Sequence, residues 1–96
     1  MAVLMTIEFD ATKEQYDEVN KQLEVENNPP DGLVVHTAED VGGGKMRVVD
    51  VWESTGQMEA FTNGRLMEAM SEVMGPLDPD SGNPPEVREL HNVIKL

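Results

Sequence analysis

The 96-residue sequence has no cysteine, and its aromatic residues are one tryptophan, one tyrosine and two phenylalanines. Without cysteine there are no disulfides, no thiolate chemistry and no cysteine-ligated zinc or iron–sulfur centre. A cysteine-free chain fits the reducing cytoplasm, which is the expected location. Basic residues are also scarce: seven against nineteen acidic ones, a formal charge of −12. That charge repels nucleic-acid phosphates and anionic lipid, so neither nucleic acid nor a membrane surface is expected as a partner. No apolar run approaches the roughly 20 residues that span a bilayer. The N-terminus lacks the basic-then-apolar pattern of a signal peptide, so none is expected.

What is present reads as one globular domain over residues 1–96, with 39% apolar and 27% charged residues. A chain this short buries only about 60–65% of its unfolded surface. Its core is thin, and a partner would help it.

Ala2 to Phe9 is predicted as a strand with Val3, Met5, Ile7 and Phe9 on one face. Thr12-Lys-Glu-Gln15 has the form of a capping box. Tyr16, Val19 and Leu23 then follow at helical spacing, on a helix of about 14 residues. The stretch Asn27 to Gly32 stops it. Leu33 to Val41 and Lys45 to Glu53 are predicted as a hairpin turning through Gly42-Gly-Gly44. Ser54-Thr-Gly-Gln57 is a second capping-box candidate. It opens a helix to about Met74, with Met58, Phe61, Leu66, Met70 and Val73 inward, ended by Gly75-Pro76. Leu77 to Pro85 is expected to be a loop, and Glu86 to Leu96 the last strand.

The order βαββαβ predicts an α+β, ferredoxin-like fold: a four-stranded antiparallel sheet with two helices on one face. Right-handed crossovers place both helices on the same side. The other face has no cover within the chain, yet both faces of strands two and three carry bulky apolar groups. A symmetric homodimer is the simplest cover. Val49 and Val51 are assigned to the helix side, and Val48, Asp50 and Trp52 to the open side, although the reverse also fits the pattern. Strand four fits in either orientation.

The run Val48-Val-Asp-Val-Trp-Glu-Ser54, passing into a helix that carries Phe61, resembles the dimeric α/β-barrel superfamily. Within it, the likeness is to the antibiotic-biosynthesis-monooxygenase-like small proteins. The resemblance implies that two subunits pack sheet to sheet into a barrel. It implies a pocket between sheet and helices or inside the barrel. Some members oxidise polycyclic phenols with molecular oxygen and no cofactor, others degrade haem, and many have no known activity. Trp52 matches a tryptophan that often lines the pocket. The asparagine that haem-degrading members use on strand one is absent from Ala2 to Phe9. No cofactor is expected.

Asp50 interrupts an apolar strand, and burying an ionised carboxylate is costly unless it is paired. Either Lys45, Arg47 or Arg88 pairs with it, or its pKa is raised and it can exchange protons, with Thr6 or Glu8 of the neighbouring strand expected beside it. Asp50 and His36 are the candidate catalytic residues, as general bases toward a phenolic proton. Trp52, Val48, Thr6 and His91 are candidate substrate-binding residues. Two histidines far apart in sequence are weak evidence for a metal, and none is expected. Each of these residues also has a structural reading: Trp52 as a core anchor, and the histidines and Asp50 as members of a hydrogen-bond network. The expected function is therefore binding of a small apolar or aromatic ligand in a barrel pocket. The alternatives are cofactor-independent monooxygenation of a phenolic or polyketide-like substrate, and a purely structural or regulatory homodimer. A ligand pocket should reach about 300 Å³.

Overall fold

The computed structural model describes residues 1–75 and 85–95. Its elements are β1 (Val3–Asp10), α1 (Lys13–Leu23), β2 (Leu33–Gly42), β3 (Lys45–Trp52), α2 (Thr55–Phe61), a π-helical turn (Thr62–Leu66), α3 (Met67–Met74) and β4 (Glu86–Glu89). The four strands form one antiparallel sheet in the order β2-β3-β1-β4. This is the predicted ferredoxin-like arrangement. α2, the π turn and α3 run on as the second helix.

Local signals act where the sequence places them. Thr12 and Gln15 close a full capping box, Oγ1 accepting from Gln15 N at 3.1 Å and Gln15 Oε1 accepting from Thr12 N at 2.9 Å. Ser54 caps α2 by accepting from Gln57 N at 3.2 Å. Its box is only half formed, because the Gln57 side chain accepts from the Ser54 hydroxyl instead. That side chain also occupies the space a Cβ at Gly32 would fill, and Gly32 has φ +88°. Glycine is required there on both counts. Gly43 and Gly44 both have positive φ, as a tight hairpin turn needs.

Two elements end earlier than expected. α1 stops at Leu23, where Glu24 adopts the left-handed conformation. The Arg65 guanidinium then donates to Leu23 O at 2.7 Å and to Asn28 O at 3.0 Å. It thus supplies a cation to a helix C-terminus. β4 covers four residues rather than the eleven from Glu86 to Leu96. Its register runs antiparallel to β1 from Thr6↔Glu86 to Val3↔Glu89 and closes with Leu90 N to Ala2 O at 2.9 Å. Pro76 and most of the predicted Leu77–Pro85 loop lie outside the described residues.

The helix-covered face of the sheet carries Val3, Met5, Met46, Val48, Asp50 and Trp52, all buried. This reverses the expected assignment: Val48, Asp50 and Trp52 face the helices, and Val49 and Val51 face away. The physical reason is volume. Met46, Val48 and Trp52 pair with Phe9, Ile7 and Val3 to make the thicker apolar layer. The Val49–Val51 side is flanked by exposed Arg47 and Glu53. Strand four is oriented by its register, which places Val87 on the helix side.

On the open face Leu4, Val49 and Val51 are half-buried and Val35 is 50% exposed. Beside them Arg47 lies between Glu8 at 2.7 Å and Glu39 at 3.4 Å. Trp52 is 1% exposed and packs on Phe61 with ring centroids 5.5 Å apart. Its Nε1 has no hydrogen-bond partner among the described residues. Trp52→Ala is expected to lower stability by about 3–5 kcal/mol, the usual range for emptying a core aromatic site. Urea denaturation followed by circular dichroism measures this.

Candidate functional site

The site begins with a break in strand alternation. β2 pairs with β3 through Leu33↔Trp52 and then Val35↔Val51, so a bulge falls at Val34. The bulge resets which residues face inward. Leu33 and His36, three apart, both lie on the helix side, opposite Trp52 and Asp50. Strict alternation would have separated them.

His36 Nδ1 and Asp50 Oδ1 are 2.6 Å apart. On its other side, His36 Nε2 is 2.6 Å from the hydroxyl of Tyr16, which α1 presents one turn after its N-cap Thr12. An ionised carboxylate only accepts, so Nδ1 carries the proton and donates to Asp50. In the neutral imidazole Nε2 then keeps its lone pair and accepts from the tyrosine O–H. The two rings lie 6.0 Å apart and within 15° of parallel. Face-to-face stacking would hold atoms about 3.5 Å apart. The shorter oxygen–nitrogen contact therefore puts the phenol edge-on, in the imidazole plane. The Asp50 side chain is 7% exposed and that of His36 25%.

This chain of three residues, together with Asn20, forms the polar part of a cavity between sheet and helices. The cavity has a volume of about 120 Å³. Met5, Ile7, Phe9, Val19, Leu23, Leu33, Val48, Phe61, Leu66 and Met70 make its apolar walls, with Tyr16, Asn20, His36 and Asp50 among them. It is smaller than the expected 300 Å³. Its scale is close to the roughly 150 Å³ apolar cavities that accept a benzene ring. A second depression, about 260 Å³, lies between the end of α1 and α3 around Arg65, Glu24, Glu68 and Glu72. Arg65 is engaged there in holding the α1 terminus.

Of the six expected site residues, the structure brings His36, Asp50 and Val48 to this cavity. Trp52 lies in the adjoining core behind Phe61 and is not part of the cavity wall. Thr6 pairs with Val49 and faces the opposite side of the sheet, as does Glu8. The neighbour of Asp50 on β1 is Met5, because pairing register sets the shared face. His91 is exposed beyond the end of β4. The cations considered for Asp50 are engaged elsewhere: Lys45 with Asp10, Arg47 with Glu8 and Glu39, and Arg88 with Glu86.

Tyr16 escaped sequence reasoning because it falls on the apolar stripe of α1. The available signal was that a tyrosine on a buried stripe still needs a partner for its hydroxyl. Among the described residues no group of three or more histidine, aspartate or glutamate side chains is placed to hold a metal ion. Among them, too, no helix is long and apolar enough to cross a membrane.

Burial pushes the Tyr16 hydroxyl above its ordinary pKa of 10.0, and the negative charges of Asp50 and Asp17 push it further. A raised pKa means the folded state keeps the proton longer than the unfolded chain. The associated stability is fully present below the unfolded value and is lost as pH rises through the folded one. Tyr16 is the only tyrosine, so tyrosinate absorbance at 295 nm reads this residue alone. The expected midpoint lies above 10 in the folded protein and returns to about 10 in urea. A folded midpoint at or below the unfolded one would contradict the geometry.

No family model matches the chain, and no curated protein does. Solved structures do. A protein from Chloroflexus aurantiacus J-10-fl, provisionally named an antibiotic biosynthesis monooxygenase, superposes with a TM-score of 0.66 at 12% identity, covering 99% of both chains. One from Deinococcus radiodurans with the same provisional name gives 0.61 at 14% identity, over 100% of this chain and 98% of the other. A protein of unknown function from Nitrosomonas europaea gives 0.64 at 19% identity, over 97% and 92%. At these identities the likeness establishes the fold alone, the ferredoxin-like sheet and helices that these structures share with this chain.

Proposed function

We propose that this chain, built on that fold, is a homodimer that binds a small apolar or aromatic molecule in the cavity between its sheet and helices. The carrying observation is the cavity wall: apolar side chains on nearly all sides, with Asn20 and one hydrogen-bonded chain, Tyr16–His36–Asp50, as its polar groups. Apolar lining with a few convergent polar groups is the usual composition of a small-molecule site. The volume, about 120 Å³, limits the ligand to roughly one ring. Binding is tested by titrating toluene and indole while recording amide NMR shifts. Perturbations are expected at Val19, Leu23, Phe61 and Leu66. No perturbation at millimolar ligand would remove the reading.

The homodimer rests on the open face. Leu4, Val35, Val49 and Val51 form an apolar strip on a sheet surface that no element among the described residues covers. A second copy buries the strip symmetrically. Light scattering is expected to give twice the 10.6 kDa chain mass. Val35→Glu is expected to return the protein to single chains, because Val35 is already half exposed in one chain and the change spares its own core. A folded 10.6 kDa particle at micromolar concentration would count against the dimer.

A second reading is favoured by the imidazole–carboxylate pair beside apolar space. A base that takes a proton from a strongly reducing phenol such as a hydroquinone leaves an anion that gives two electrons to molecular oxygen without a cofactor, forming the quinone and hydrogen peroxide. The cavity size selects single-ring phenols over polycyclic ones. Oxygen uptake with such phenols would support this reading if His36→Gln and Asp50→Asn abolish it.

A further inference from the structure

The expectation that His36 takes a proton from a ligand directly meets a geometric obstacle. Both imidazole nitrogens are engaged, Nδ1 by Asp50 and Nε2 by Tyr16, each at 2.6 Å. Tyr16, His36 and Asp50 all line the cavity, but with both His36 nitrogens taken, the groups left to receive a ligand hydroxyl are Tyr16 and Asp50. A phenol hydroxyl has one proton and two lone pairs. Tyr16 gives its proton to Nε2 and retains a lone pair for an incoming O–H.

We propose that Tyr16 is the residue a ligand touches, and that it accepts the O–H of a phenol or enol of about one ring and relays the proton to His36. The balance is simple. The ligand O–H bond breaks and its proton joins Tyr16 Oη. The original tyrosine proton moves to Nε2, and the ligand is left as the oxyanion. The resulting imidazolium is paired with Asp50, and no electrons change hands. Exposure favours this route over direct transfer to Asp50. The His36 side chain, 25% exposed, can release a proton to water, whereas Asp50, 7% exposed, would hold it in the interior.

The proposal rests on the cavity being a ligand site, and the experiment separates the two ideas. The probes are 4-fluorophenol and 4-fluorotoluene, alike in shape and differing in a hydroxyl against a methyl. Both are titrated by fluorine NMR into the wild-type protein and Tyr16→Phe. Removing the tyrosine hydroxyl leaves Nε2 without its partner, and a probe hydroxyl that took the vacated place would show as a shift of the His36 Nε2 signal in the variant. The preference for the phenol over the toluene is expected to fall about tenfold in the variant, the value of one buried hydrogen bond. The His36 Nε2 nitrogen signal is expected to shift on adding the phenol to wild type only, because a hydrogen bond donated to Tyr16 strengthens the one Tyr16 donates to Nε2. An unchanged preference in Tyr16→Phe overturns the relay while leaving the ligand site intact. The same holds if the preference is lost only in Asp50→Asn, which would place the proton on Asp50. If neither probe binds the wild type, the relay and the ligand site fall together.

Discussion

A carboxylate in an apolar layer needs a partner, and the architecture of this site follows from that requirement. Asp50 stands between Val49 and Val51 on the central strand β3, with Met5 opposite it on β1. Unpaired, an ionised group there would cost several kcal/mol. His36 reaches it from β2, and Tyr16 reaches His36 from α1. Three elements distant in sequence are thereby tied at one point. Each polar atom in the contact has a partner of suitable donor or acceptor character. The same contact places the proton-carrying groups of the chain against its apolar cavity.

The bulge at Val34 makes that contact available. Without it, the residue two positions from Leu33 would face the helices and His36 would face away. The register shift lets a bulky Leu33 sit opposite Trp52 while His36 sits opposite Asp50. A single inserted residue therefore serves packing at one pair and hydrogen bonding at the next. At the far side of the cavity the π-helical turn carries Leu66 to the wall. Its Arg65 lies over the Phe61 ring, 5.6 Å from the centroid, and binds the end of α1. The helix that presents Tyr16 is thus held at both ends, by its capping box and by this guanidinium.

Much of this was legible beforehand. Thr12 and Gln15 announced the start of α1, the three glycines announced the hairpin, and the element order announced the sheet. These signals are local: a capping box or a tight turn depends on residues within a few positions of one another. Asp50 was recognisable as out of place, and His36 and Asp50 were both picked out as candidate bases. The face they share with the helices was assigned the wrong way round, because Val-Val-Asp-Val-Trp offers apolar residues to both sides. Thr6 was placed beside Asp50 by strand adjacency alone, whereas pairing register puts it behind the sheet.

What the amino-acid sequence determined by itself is the list of elements, their order and hence the sheet they make, because propensity, capping and turn chemistry act at short range. The tertiary structure alone decided the partner of Asp50, the inward turn of His36 and the recruitment of Tyr16. Those depend on a bulge, on register between strands and on where a helix comes to rest. Each is set by packing across the whole sheet, and no short stretch of residues encodes it.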